Sequence, residues 1–208
     1  MIRTHHIPTI AGNYDIGVGM NSSDCGCAYK TKEEKAWGEQ SIACTNALVT
    51  EEVRAYLRHL PRHFRITAGN EQSPYELLMV HGSPRRVNEY LFEDRPDSSF
   101  LRMMLASHAN VLLFGHTHRP FHRVIQASHE EDTRYYHAIN IGSVDKPKDG
   151  DPRACYVLLR LHAPASPFRP DSVEVTFVRV PYDVERTAQA IEQSSLPDIF
   201  ADQLRKAC

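Results

Sequence analysis

Three times in this chain an apolar run stops at a short polar block that contains glycine. Residues 7–11 lead into Gly12-Asn13-Tyr14-Asp15, residues 75–80 into His81-Gly82-Ser83, and residues 111–114 into Gly115-His116-Thr117-His118. Glycine lets the backbone turn sharply and lets an ion or a phosphate approach closely. Strands of an α/β sheet present their ligand-binding loops at their ends, so this pattern predicts a layered α/β domain with its site where the three runs finish.

The intervening sequence supports that class. Thr31 with Glu34 forms a capping-box pattern that opens a helix to about residue 48. Thr50 opens another, with Val53, Leu57 and Leu60 on one face, closed by Pro61. Residues 64–67 and 75–80 read as a strand pair around a polar turn at 69–73. Ser98 or Ser99 is expected to cap a helix through Leu101, Met104 and Leu105. Strands are predicted at 111–114, 135–141, 154–162 and 172–180, the last with Val173, Val175 and Phe177 on one face. Helices are predicted at 183–193 and 198–206. Residues 7–11 read as a buried strand, and 17–32, rich in Gly, Ser, Asn and Cys, as a long loop.

Composition narrows the function classes. With 24 basic and 26 acidic residues the net charge is −2, which excludes the basic field of a nucleic-acid duplex binder. No apolar run approaches the roughly 20 residues of a membrane span. The first ten residues lack the apolar core of a secretory signal, so a cytoplasmic setting is expected. The five cysteines contain no C-x-x-C pair and read as free thiols; Cys25-Gly26-Cys27 is a soft metal clip without a second pair to complete it. A monomer of this mass is expected to expose roughly 9,800 Å². The 12 histidines outnumber the 10 glycines, and imidazole is a frequent metal ligand. On a turn, the two imidazoles of His116-Thr117-His118 can reach two adjacent ions, the usual clamp for phosphate ester hydrolysis. His5, His6, His122, His129 and His137 are expected in surface or core roles.

Residues 10–15, 79–84 and 114–118 resemble the G-N-H-D, H-G and G-H-T-H blocks of the metallophosphoesterase (calcineurin-like phosphoesterase) superfamily, in particular its small bacterial phosphodiesterase-like members. Asn140 to Val144 and the Asp149 to Arg153 stretch resemble the segment after G-H-T-H in those members. The resemblance implies a β-sandwich flanked by helices (αββα) and a hydroxide attacking phosphorus in line. It implies Asn13, His81 and His116 as ligands of one metal and His118 as ligand of the other. Tyr14 and Asp15 fall on the catalytic block, while Arg85 and Arg119 come after the H-G and G-H-T-H blocks and are candidates for binding substrate phosphate. Two divalent ions (Mn, Fe, Zn or Mg) are implied, with a small phosphodiester, phosphomonoester or nucleotide as substrate and a homo-oligomer as an open possibility.

Two departures accompany the resemblance. Tyr14 stands where the family has His, and a phenol with a pKa near 10 is a poor acid at neutral pH. The D-x-H and G-D blocks that supply the remaining ligands are absent; the one Gly-Asp, at 150–151, reads as a turn. Only 11 residues precede Gly12, against about 30 for a strand, helix, strand unit, so the chain is expected to be a single domain, 1–208, without its first such unit. That lowers the expected occupancy to one ion or none and keeps a non-catalytic phosphate- or nucleotide-binding domain as the alternative. Other histidine-pair hydrolases fit less well. Pro120 occupies the Asp position of H-x-H-x-D-H, and the 90 residues after His118 are too few for a ~250-residue barrel.

Overall fold

The computed structural model describes residues 1–70, 73–129 and 132–208. A five-stranded mixed sheet runs in the order β1-β2-β3-β5-β4, built from β1 (His63–Asn70), β2 (Ser73–Val80), β3 (Val111–Phe114), β4 (Phe121–His129) and β5 (Asp132–Asn140). The outer pairs β1/β2 and β4/β5 are antiparallel, whereas β2/β3 and β3/β5 are parallel. A second sheet pairs β6 (Ala154–Leu161) with β7 (Val173–Val180) antiparallel.

Side-chain alternation sorts the large sheet's two faces. Leu78, Val80, Leu112, Phe114, Phe121, Ile125 and Ala138 pack with Phe100, Met103 and Met104 of α4 (Asp97–Ala106). Tyr75, Leu77, Val111 and Ile139 point the other way and meet Val173, Val175, Leu159 and Leu161 of the second sheet. The order is helix on sheet on sheet, with helices α1 (Asn13–Gly19), α2 (Lys32–Leu48) and α3 (Glu51–Arg58) forming a smaller cluster around Val18, Cys25 and Ile42. Arg54 is buried there, donating to Val18 O at 2.5 Å and to the side chain and carbonyl of Asn46 at 2.8 and 2.5 Å. It satisfies carbonyls near the ends of α1 and α2, where a cation also meets the negative end of each helix. Helices α5 (Val184–Glu192) and α6 (Ile199–Lys206) form a C-terminal hairpin. Among the described residues no helix is long and apolar enough to cross a membrane.

The helix caps at Thr31 and Thr50 accept from Glu34 N and Val53 N, as their patterns predict. Helix α4 starts one to two residues before the expected serines, with Pro96 at its cap. The 69–73 turn has its tip, residues 71–72, outside the described residues. Two expectations are corrected. Residues 7–11 are not a buried strand: Ile7 is 49% exposed and its N–H goes to Ile2 O at 3.1 Å, Pro8 withholds a ladder donor, and Ala11 N is tied to Pro61 O at 2.8 Å. Residues 13–19 form α1, which takes in the first three residues of the loop expected at 17–32. Its glycines are packing residues: a Cβ on Gly17 would lie 3.1 Å from Asp24 O, and one on Gly19 3.2 Å from Leu57 Cβ. Strand β4 carries no expectation from sequence, although Phe121 and Ile125 alternate with exposed Val124 and Gln126.

The accessible surface is 12392 Å², well above the figure expected for a compact monomer of this mass. Part of the excess is the outer face of the second sheet, where Tyr156 and Leu158 are exposed.

This packing makes two stability predictions. Ala at an open helical position is worth about 1 kcal/mol over Gly, but Gly17→Ala presses on backbone and should cost about 1–3 kcal/mol in urea unfolding; a gain would contradict the packing. His137 is fully buried, with His122 Nε2 3.1 Å from its Nδ1, and burial, then the neighbouring His122, pushes it down to about 4. The unfolded chain protonates this residue near 6.5, so its contribution is complete above that pH and is lost as pH falls towards 4. The loss should be on the order of 3 kcal/mol. Urea midpoints at pH 7.5 and 4.5 should separate accordingly, and His137→Asn should narrow the gap.

Candidate functional site

The parallel register Leu78↔Leu112↔Ala138 aligns the C-terminal ends of β2, β3 and β5. His81 comes directly after the first end, Gly115 to His118 after the second, and Asn140 closes the third. Gly115 N donates to His81 O at 2.8 Å and Ile141 N to Phe114 O at 2.8 Å, so the loops stay joined beyond the strands.

The Gly115 to His118 turn is held in an unfavourable backbone conformation. His116 and His118 have φ of 65° and 60°, a left-handed region that costs a residue with a Cβ roughly 1–2 kcal/mol. Asn140 meets that cost. Fully buried, its Nδ2 donates to Gly115 O at 3.1 Å and to Thr117 Oγ1 at 2.8 Å. His118 Nδ1 donates to Lys146 O at 2.6 Å, which leaves its Nε2 carrying the lone pair.

Asn13 is delivered by the first turn of α1. Asp15 Oδ2 accepts from Gly12 N at 2.7 Å and fixes that turn. Gly12 admits the His81 ring closely, since a Cβ there would sit 3.1 Å from it. Asn13 Nδ2 donates to Cys25 O at 3.0 Å and Cys27 Sγ at 3.2 Å, which orients Oδ1 towards His81. His81 Nε2 then lies 2.9 Å from Asn13 Oδ1 and 3.1 Å from His116 Nδ1.

Neighbouring ligands on one ion with bonds of about 2.1 Å are roughly 3 Å apart, so both separations suit a shared metal. The electrostatics agree. Burial, and then the charge of His118, push His81 down to about 4. Burial and then His81 and His118 push His116 down to about 4. Both imidazoles are therefore neutral at pH 7, as a ligand must be. Among the described residues His116 Nε2 is buried without a hydrogen-bond partner, and the centroid of the Tyr90 ring lies 4.2 Å from that of the imidazole. The donor set is neutral, however. Among the described residues no three His, Cys, Asp or Glu side chains group into a metal site. Asn13, His81 and His116 could therefore hold one ion, and of the residues implied as ligands only His118 is left for a second.

A cavity of about 780 Å³ opens beside this cluster and is lined by Asn13, His81, His116 and His118. Tyr14 and Asp15 also line it. The Tyr14 hydroxyl is spent on Ser41 Oγ at 2.8 Å, and burial raises its pKa further above 10. Burial likewise raises Asp15, against the opposing Gly12 N–H. Arg85 and Arg119 are not in the lining: Arg85 is paired with Glu89, and Arg119 is exposed. The cations that do line the cavity are Lys146 and Lys148. Burial and Lys148 lower Lys146 to about 8, and its Nζ donates to Gln203 Oε1 at 2.7 Å. Nothing in the Lys-Pro-Lys sequence signals this, because the loop is brought in by residues far along the chain. Asn140 could have been found, since it ends an apolar strand as His81 does. Cys25 and Cys27 have their sulfurs 2.9 Å apart, and among the described residues no third His, Cys, Asp or Glu groups with them. His5 and His6 are exposed, and the His129 side chain lies outside the described residues.

Known proteins share this fold. A metallophosphoesterase from Sphaerobacter thermophilus has 25% sequence identity and a TM-score of 0.65, over 96% of this chain and 76% of that one. The protein PH1004 of Pyrococcus horikoshii, at 21% identity and a TM-score of 0.68 over 94% and 71% of the two chains, shares the fold. The uncharacterized protein MJ0912 of Methanocaldococcus jannaschii is 27% identical over 98% of this chain and 77% of its own length. Residues 1–163 match the model of the calcineurin-like phosphoesterase superfamily domain, and the chain belongs to that superfamily.

Proposed function

We propose that this protein is a metal-dependent phosphoesterase that hydrolyses a small phosphate ester in the cavity beside His81 and His116. The observation that carries the reading is the convergence of Asn13 Oδ1, His81 Nε2 and His116 Nδ1 at separations suited to one divalent ion. Such an ion supplies Lewis-acid polarisation of a phosphoryl oxygen. The chain's own residues do the rest. Asn13, His81 and His116 hold the ion; the free lone pair of His118 Nε2 serves as a further ligand or accepts a proton. Lys146 and Lys148 offset the charge of the bound ester. Tyr14 has its proton engaged by Ser41 and orients the wall rather than protonating a leaving group. Five cysteines without a disulfide support a cytoplasmic setting for this chemistry.

Tyr14 in the catalytic block and a donor cluster without a carboxylate favour a second reading, phosphate or nucleotide binding without turnover. The two separate on one measurement: hydrolysis of bis-p-nitrophenyl phosphate and p-nitrophenyl phosphate with added Mn²⁺, alongside metal analysis of the purified chain. The phosphoesterase reading expects bound metal, turnover, and a fall of about 100-fold or more in kcat/KM for His81→Ala or His116→Ala. An intact protein with neither metal nor turnover refutes it. Asn140→Ala should lower kcat about 10- to 100-fold, because Asn140 acts on the ligands through the turn they stand on. An unchanged kcat in a folded Asn140→Ala variant would remove Asn140 from the site's support.

A further inference from the structure

Cys25-Gly26-Cys27 takes no part in the chemistry proposed above, yet it touches the ion site directly. The two sulfurs lie 2.9 Å apart, and Asn13 Nδ2 donates both to Cys25 O at 3.0 Å and to Cys27 Sγ at 3.2 Å. The other end of the same carboxamide, Asn13 Oδ1, stands 2.9 Å from His81 Nε2. One side chain therefore joins the thiol pair to the imidazole pair.

Local structure brings the sulfurs together. In an extended segment residues i and i+2 face the same side. Gly26, with φ of 69°, bends the chain between them, a conformation that glycine adopts without steric cost. The bend is pinned from both sides, since Gly26 N donates to Asp24 Oδ1 and Gly26 O accepts from Asn88 Nδ2, each at 2.9 Å. Cys27 is half-buried and lines the cavity, and Cys25 is buried. Among the described residues no other two cysteine sulfurs meet: Cys44 Sγ lies 3.1 Å from Ser195 Oγ, Cys155 is buried and Cys208 is exposed.

Two chemistries use paired thiols. Two thiolates on one zinc ion, with bonds of about 2.3 Å at tetrahedral angles, stand roughly 3.8 Å apart and need further ligands. Among the described residues none groups with this pair. A disulfide needs only the two sulfurs and a closure of roughly 0.8 Å. In a reducing setting such a bond is transient and serves as a sensor.

We propose that Cys25 and Cys27 are a reversible oxidation site, at which a hydroperoxide entering the cavity closes a disulfide that draws Cys27 away from Asn13 and weakens the ion site. One sulfur attacks the peroxide, whose O–O bond breaks, to give a sulfenic acid and one molecule of water or alcohol. The second sulfur displaces the sulfenic oxygen as water and forms the S–S bond. The thiols lose two electrons and two protons in all, and the peroxide takes up both. The disulfide itself does not rest on the phosphoesterase reading; its effect on Asn13 as a ligand does.

The metal-free full chain is treated with hydrogen peroxide, alkylated and digested with trypsin. Residues 4–30 form one tryptic peptide that holds these two cysteines and no other. That peptide should lose the mass of two hydrogens and escape alkylation, the thiol count should fall by two, and dithiothreitol should restore both. Cys25→Ser should instead leave on Cys27 a sulfenic acid that dimedone traps. Alkylation of both cysteines in this peptide, after peroxide has consumed Cys44 or Cys208, overturns the proposal. Mn²⁺ should bind the oxidised chain about tenfold or more weakly than the reduced one, as when a ligand's supporting contact is lost; equal affinities overturn the link to Asn13. A metal-free readout tests the same link. Asn13→Ala, which removes a donor to Cys27 Sγ, should shift the thiol–disulfide equilibrium against glutathione about two- to tenfold towards the disulfide, and an unshifted equilibrium also overturns it. A reversible disulfide and a shifted equilibrium in a chain that neither binds Mn²⁺ nor turns over an ester uphold this oxidation site while the phosphoesterase reading falls.

Discussion

Parallel pairing of β2, β3 and β5 is the constraint on which the site depends. Three parallel strands in register end together, and here the ends carry His81, the Gly115 to His118 turn and Asn140. An antiparallel neighbour would have sent one of these groups to the far edge of the sheet. The register is in turn set by the core, because a one-residue slip of β3 would turn Leu112 and Phe114 away from α4 and expose Val111 on the wrong face. Burial of apolar side chains thus fixes the position of polar ones about a strand's length away.

The polar groups at that edge conflict with one another unless something positive sits among them. Asn13 Oδ1, His81 Nε2 and His116 Nδ1 crowd together, and burial keeps both imidazoles neutral, so one shared proton satisfies the cluster at most in part. The backbone adds to the cost, since His116 and His118 are both left-handed. Buried Asn140 and the Lys146 carbonyl hold that arrangement against its strain. Strain and unsatisfied lone pairs concentrated at one point, with support from fully buried neighbours, are what a preformed cation site requires.

Legibility in the sequence tracked the range of the interactions involved. Val111–Phe114 is readable because four consecutive apolar residues fit a strand buried on both faces, and the helix caps at Thr31 and Thr50 are readable because capping is local. His81 and His116 share a neighbourhood in the fold but are 35 positions apart in the chain; only the repeated pattern of strand end and glycine joins them beforehand. Helix α1 was hidden because Gly17 and Gly19 signal a loop by propensity, whereas their task is to admit Asp24 and Leu57 to contact distance. Residues 7–11 misled in the opposite sense: their β-branched composition suits a strand, but among the described residues no strand pairs with them. Arg85 was drawn to the phosphate by its position after the H-G block, and the nearby Glu89 engages it instead.

The same distinction of range divides chemistry from selectivity in this molecule. Every group placed at the ion lies within residues 13–118, inside the segment that matches the family, and each is held by strands and turns of that segment. The walls that decide what fits beside the ion come from α2, from the Lys146 loop and from the α5–α6 hairpin, elements joined to one another by side-chain contacts such as Lys146 with Gln203 and Lys146 over the Phe200 ring at 4.8 Å. A change on α6 can therefore reshape the cavity while the histidines keep their positions, because no strand of the large sheet has to move. Conversely, a change at Asn140 disturbs the turn beneath His116 and His118 and touches no residue of the α5–α6 hairpin directly. The Lys146 loop joins the two parts, since the Lys146 carbonyl accepts from His118 Nδ1 while its Nζ donates to Gln203 Oε1, so substitutions in this loop should couple with changes on either side rather than add.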